Sequence, residues 1–364
     1  MIKIPYIVLD RDVFENTNDD TLVFLFGILS YDPDETGFCK AKLYINSEIV
    51  NSEKYKSLSA VYKNLLDTNY KDQVYSGTKT KYKIASNHRG EIFRFTIDEA
   101  IRFFQMPISV ILENSLNDGY FMKAILKHFD RTGILIAYYN YGWIQFENAG
   151  GWPNIHNYIL GKTKQLKMFA NQRGTSPEKY LRCFVLIDSD KKFPTNQKAD
   201  DKLTLERSLV SLNVQIHILE KRAMENYLPD DIFDNLKNLV PHEREYNDWK
   251  VLPSTENWLH TYRYLSDTQK DYLNHQTGFS RNRDKSKINR KDQIPEIRDL
   301  FQNLTNDQFD ILDEGLKFPD YKSQISRQFN RDEYINSVSL LARCGGTEDK
   351  NEFLEIITKI GSLL

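Results

Sequence analysis

The sequence predicts an α/β protein with a parallel, Rossmann-like sheet in its central third. Three observations lead there. Between residues 107 and 236, strand-like apolar runs alternate with amphipathic helical stretches. Those stretches are long enough to carry a crossover between parallel strands. Three of the strand runs also end in carboxylates, at the edge where an open parallel sheet binds its ligands.

In chain order, residues 1–105 read as a mixed α+β region. TLVFLFGIL (21–29) and KAKLYI (40–45) are β-prone runs, separated by polar turns such as DPDETG (32–37). EKYKSLSAVYKNLL (53–66) has the apolar spacing of one amphipathic helix. EIFRFTIDEAIRFF (91–104) starts as a strand and ends as a helix.

Residues 106–240 form the predicted central unit. PISVILE (107–113) suits a buried strand, and DGYFMKAILKHF (118–129) places Phe121, Ala124, Ile125 and Phe129 on one helical stripe. GILIAYY and WIQFENAGG read as two further strands, the second closing on Gly150-Gly151. WPNIHNYILGKTKQLKMFA (152–170) is helical in pattern, with Pro153 in its first turn. RCFVLIDSD (182–190) is a strand with an acidic end, followed by the helix DKLTLERSLVSL, the strand NVQIHILE (213–220) and a helix beginning at MENYLPDDIFDNL. Residues 241–364 are polar and mostly helical in pattern, with a basic segment at 278–291.

Composition bounds the function. With 364 residues and 40% hydrophobic side chains the chain builds a real core, which excludes general disorder. A formal charge of -2 excludes a globally basic nucleic-acid binder but not a local basic patch. Cys39, Cys183 and Cys344 are widely separated, which argues against a disulfide framework or a Cys-rich zinc site. No apolar run approaches the ~20 residues of a membrane span. A cytoplasmic protein without membrane association is expected.

The acids carry the chemistry. Glu113 follows the first central strand, Asp188 and Asp190 the third, and Glu220 the fourth. In a parallel sheet these ends converge on one rim. Clustered carboxylates repel and raise one another's pKa, and a hard divalent cation relieves that repulsion. All-oxygen donors suit Mg²⁺ or Mn²⁺ rather than zinc.

The order of these features resembles a TOPRIM domain, the metal-binding fold of topoisomerases, primases and OLD-family nucleases. The matching residues are Glu113 in ILENSLNDGYF, Gly150 and Gly151 in NAGGW, and Asp188 and Asp190 in VLIDSD. HILEKRAMENYLP resembles the Leu-Glu-Arg-Arg-x-x-Glu-Asn-Tyr-Leu signature of the OLD-type branch. Glu220, Lys221, Arg222, Glu225, Asn226, Tyr227 and Leu228 match it in order, with Lys221 for the first Arg. Two departures stand out. Asn114 occupies the place of a common Gly, and the next acid, Asp118, falls one residue late, as a helix cap or a metal ligand.

The resemblance implies Mg²⁺- or Mn²⁺-dependent phosphodiester cleavage of DNA or RNA. Glu113, Asp188, Asp190 and Glu225 would be catalytic and metal-binding, and Glu220 a further metal ligand. Gly150 and Gly151 would bring backbone N–H groups to a phosphate. Lys285, Lys287 and Lys322 are candidates for the transition-state cation, with Lys287 preferred. Arg281, Arg283, Lys285 and Lys287 in the basic segment would grip nucleic-acid backbone.

The chain carries no P-loop. Gly161-Lys162-Thr163 has His156 where the earlier glycine is required. The ATPase of OLD-type systems is therefore expected as a separate partner, with this chain as an effector of bacterial anti-phage defence. Homo-oligomerisation is open. The alternatives are a non-catalytic binding subunit and, on the same fold, a primase or topoisomerase.

Overall fold

The computed structural model describes the chain except residues 1, 31–37, 77–79, 88–90, 92, 198, 237–252, 279–294 and 317–319. The turn DPDETG and the basic segment beyond Gly278, with Arg281, Arg283, Lys285 and Lys287, lie outside the described residues.

The described strands form two parallel sheets. The first joins β1 (Tyr6–Leu9), β2 (Lys42–Ile45), β3 (Tyr82–Ile84) and β4 (Arg94–Phe95) in the order β2-β1-β3-β4. The expected mixed α+β character of residues 1–105 thus gives way to a second α/β layer. The difference starts at TLVFLFGIL, which lies in the helix Asp19–Ser30. A short apolar run has no clear period of its own. Asn18 decides this one: its side chain accepts the Thr21 N–H at 2.8 Å, and Asp19 and Asp20 favour a helix N-terminus. Leu22, Leu25, Phe26 and Leu29 then face inward while Phe24 is exposed.

EKYKSLSAVYKNLL likewise forms two helices, Glu53–Ser57 and Ala60–Ser76, because Leu58 is extended. EIFRFTIDEAIRFF behaves as expected. A Thr96–Glu99 capping box starts the helix Ile97–Gln105 directly after β4.

The second sheet joins β5 (Ile108–Leu112), β6 (Ile144–Asn148), β7 (Cys183–Ile187) and β8 (Gln215–Ile218) in the order β6-β5-β7-β8, all parallel. Its crossover helices are Ser115–Phe129, Ile155–Asn171 and Asp200–Ser211. GILIAYY is a helix, Ile134–Asn140, and not the expected strand. The Asp130 carboxylate caps it, accepting the Leu135 N–H at 2.5 Å, and Gly133 enters it with a left-handed φ of 69°. MENYLPDDIFDNL is a single turn, Met224–Tyr227, then the helix Asp230–Asp234, with Pro229 between them.

Alternation along these strands divides the core. Ile108, Val110, Leu112, Phe184 and Leu186 point into a core shared with the helix Ser115–Phe129 and with C-terminal residues such as Trp258, Phe329 and Phe353. Ile111, Cys183, Val185 and Ile187 point into a second core, shared with the crossover helices Ile155–Asn171 and Asp200–Ser211 and with the first sheet. The C-terminal region is helical as expected, from Pro253–Arg263 to Glu352–Gly361. Among the described residues no helix is long and apolar enough to cross a membrane.

Candidate active site

The strand order places the site. From β5 the chain crosses to β6 on one side and then returns to β7 on the other, so β5 and β7 flank the topological switch point. Glu113 and Asp188 are the residues that follow those two strands. They meet there: the Asp188 N–H donates to a Glu113 carboxylate oxygen at 3.2 Å. From the turn after β8 the Met224 N–H donates to the Asp188 Oδ1 at 3.1 Å, and the Lys202 ammonium donates to the Asp188 carbonyl at 2.6 Å.

Around Asp188 the charges accumulate. Burial and the carboxylates of Glu113, Glu225, Asp118 and Asp190 together push its carboxyl well above the usual range. Burial also raises Glu113, against the opposing charge of Lys202 and the N–H groups of Asp188 and Trp152. Glu225 is raised by burial, partly offset by Lys322 and Arg222. Asp118 is pushed up to about 7, mainly by burial and further by Glu113 and Glu225. It also bonds as a cap, accepting the Asn114 N–H at 2.8 Å, while the Asn114 side chain accepts from Leu116 and Asn117. The capping role expected of Asp118 is therefore present, and the same carboxylate lies within reach of the charges of Glu113 and Glu225.

Asp190 is held differently. Its backbone adopts a left-handed φ of 56°, its N–H donates to the Arg222 carbonyl at 2.9 Å, and its carboxylate pairs with Lys202 at 2.5 Å. Glu220 stands apart. It is exposed, pairs with Lys191 at 3.5 Å, and is absent from the charges acting on Asp188.

The Gly150-Gly151 turn does not present free N–H groups to a phosphate. The Gly150 N–H donates to the Asn148 side chain and the Gly151 N–H to the Glu113 carbonyl, each at 2.9 Å. Both glycines have positive φ, so the turn needs them for its shape. That shape brings the Trp152 N–H to the Glu113 carboxylate. The corrected role is to orient an acid. The reason is local: a turn this tight folds its own donors inward.

Most of the signature segment is structural. Asn226 bonds the Ala223 N–H and the carbonyls of Lys270 and Leu273. Tyr227 donates to Glu352, and Lys221 pairs with Asp271. Glu225 is the signature side chain that joins Asp188, with Arg222 close by. Of the three candidate lysines, Lys322 is described, and its charge acts on both Asp118 and Glu225. Lys202 escaped sequence reasoning altogether, since DKLTLERSLVSL shows only an amphipathic helix.

The donors fit a hard divalent cation by chemistry, because carboxylates that raise one another would each be relieved by it. Among the described residues, however, no three His, Cys, Asp or Glu side chains form a ready ligand group. No protein-family model, curated protein or solved structure matches the chain.

Proposed function

We propose that the chain is a Mg²⁺- or Mn²⁺-dependent nuclease of TOPRIM type and OLD-like branch, cleaving phosphodiester bonds in nucleic acid. The observation that carries this reading is the convergence of Glu113, Asp118 and Glu225 on Asp188 at the switch point of a parallel sheet. Acids raised by burial and by one another in a crevice are candidates for functional sites, because folding gains little from them.

Glu113, Asp188 and Glu225 would hold the divalent ion, with Asp118 beside them. A bound ion there supplies Lewis acidity and a more acidic water. The protein's own groups do the rest. The N–H groups of Asp188 and Trp152 fix the Glu113 carboxylate, and the Met224 N–H fixes Asp188. Lys322, beside Asp118 and Glu225, is the described cation best placed to offset charge growing on a phosphate. The acting partner would be a separate ATPase and the setting anti-phage defence.

The test is cleavage of supercoiled plasmid and of total tRNA with Mg²⁺ or Mn²⁺, for wild type and Asp188→Ala/Asp190→Ala. Metal-dependent cutting that the mutant loses supports the nuclease. A second reading, a non-catalytic nucleic-acid- or partner-binding subunit on the same scaffold, draws support from the lack of a ready ligand group among the described residues. Substrate binding with no cutting under any metal would favour it.

A further inference from the structure

We infer that the open edge of β6 is a self-pairing surface, where a second copy of this chain adds its own β6 antiparallel and joins the two central sheets into one. The inference concerns an interface and is independent of the chemistry at the acids.

An exposed strand edge offers a row of unpaired N–H and C=O groups, and folded proteins cover such edges, shorten them or charge them. The other described edges follow that rule. At β8 the Lys359 ammonium donates to the Ile216 carbonyl at 3.2 Å, and at β2 the Asn69 side chain donates to the Leu43 carbonyl at 3.2 Å. β4 has only two residues. β6 is longer, Ile144–Asn148, and carries neither Lys nor Pro.

Its register fixes which groups face outward. The Ile108 N–H donates to the Trp143 carbonyl at 2.8 Å and the Ala149 N–H to the Leu112 carbonyl at 3.0 Å. Alternate residues of the strand therefore turn their backbone away from β5, and these are Ile144, Phe146 and Asn148. Among the described residues no further strand pairs with them. A groove of about 690 Å³ runs beside them, bounded by Leu116, Tyr139, Asn140 and Phe146, with no charged side chain in its described wall.

Symmetry names the occupant. Outward residues centred on Phe146 read the same in both directions of an antiparallel pair. A copy turned about a twofold axis at Phe146 sets Phe146 against Phe146 and Ile144 against Asn148, each an opposed pair that exchanges two hydrogen bonds. The opposed Phe146 rings extend the stack that Tyr139 and Phe146 already form at 4.6 Å. Charge permits the approach. Glu147, the ionic side chain of the strand, is held by Lys162 at 2.7 Å, and the residue set opposite it is the neutral Gln145 of the copy.

Sedimentation velocity of the full chain over a concentration series, with hydrogen exchange resolved to single amides, tests this. A monomer–dimer equilibrium is expected, in which the Ile144, Phe146 and Asn148 amides slow by about tenfold or more as the dimer fills. The Gln145 and Glu147 amides, turned towards β5, should stay slow throughout. A chain that remains monomeric, or a dimer in which the three outward amides exchange unchanged, overturns the inference.

Cysteine trapping checks the register. Opposed hydrogen-bonded residues stand about 5.5 Å apart at Cα, within disulfide reach, and diagonal ones about 7–8 Å. Under mild oxidation Phe146→Cys should be trapped as a dimer above the wild-type baseline of Cys39, Cys183 and Cys344, and Gln145→Cys should not. Equal trapping at both positions overturns the pairing at Phe146. If Phe146→Cys does not fold, the exchange pattern of the wild type still decides.

Discussion

Asp188 shows how a single residue can work against the fold that holds it. The Met224 N–H helps to place its carboxylate, its own N–H holds Glu113, and four carboxylates oppose its charge. Asp188→Asn keeps the acceptor for the Met224 N–H and removes the opposed charge. Metal-free Asp188→Asn should therefore melt several degrees above wild type near neutral pH while losing metal-dependent cleavage, an exchange read by thermal unfolding beside the plasmid assay. Asp118 gives the pH dependence. Its carboxyl, raised to about 7, keeps its proton where an unfolded aspartate, at about 3.9, has lost it. The folded state binds the extra proton, so its advantage is present at low pH and is lost as pH rises from about 4 to about 7. Urea midpoints of the metal-free protein near pH 5 and pH 8 should show lower stability at the higher value. Asp118→Asn should narrow that difference, and an unchanged difference would contradict this origin. Glu113, Asp188 and Glu225 shift in the same direction and account for the remainder.

At the scale of elements, the turn after β6 matters for its path. Gly151 sits at φ 103° with ordinary space around it, so a methyl side chain meets backbone strain and not a clash. Gly151→Ala should lower stability by roughly 1–3 kcal/mol in urea unfolding. It should also depress cleavage by displacing the Trp152 N–H from Glu113, and retained activity at reduced stability would separate the turn from the site. The same scale shows what was legible. PISVILE, WIQFEN, RCFVLI and QIHI were readable as strands because they are apolar runs with a definite length and a polar stop. TLVFLFGIL and GILIAYY were not, because a short apolar run suits either element. In each case one distant-looking polar group, Asn18 or Asp130, tips the choice to helix by capping it.

For the molecule as a whole, the shared core joins the sheet of the site to the C-terminal helices. Phe121 of the first crossover helix packs against Tyr227, Phe329 and Phe353 in one aromatic group. Glu352, at the start of the last helix, accepts from Tyr227, from the Glu220 N–H at 2.8 Å, and lies 2.8 Å from His217 Nε2. Glu352→Ala removes the acceptor shared by Tyr227, the Glu220 N–H and His217 and should lower stability by roughly 1–3 kcal/mol, measurable by urea unfolding. Because those helices and the sheet share this core, tryptophan fluorescence and far-ultraviolet dichroism should report one coincident transition for wild type. Two separated transitions would show that the C-terminal helices fold as their own unit.

The sequence alone determined the central parallel sheet and the strand ends that carry acids, and the resemblance left Glu225 beside Glu220 as further candidates, Glu225 preferred. Those features are written locally, in apolar runs, their stops and the spacing of one segment. Only the tertiary structure decided which acids meet. Strand order brings Glu113 to Asp188, while Glu220, on a strand end of the same sheet, is left to Lys191. Likewise no spacing announces that Lys202, on a separate helix, pairs with Asp190. Burial and long-range pairing set the charge balance of this site, and neither is a property of neighbouring residues in the chain.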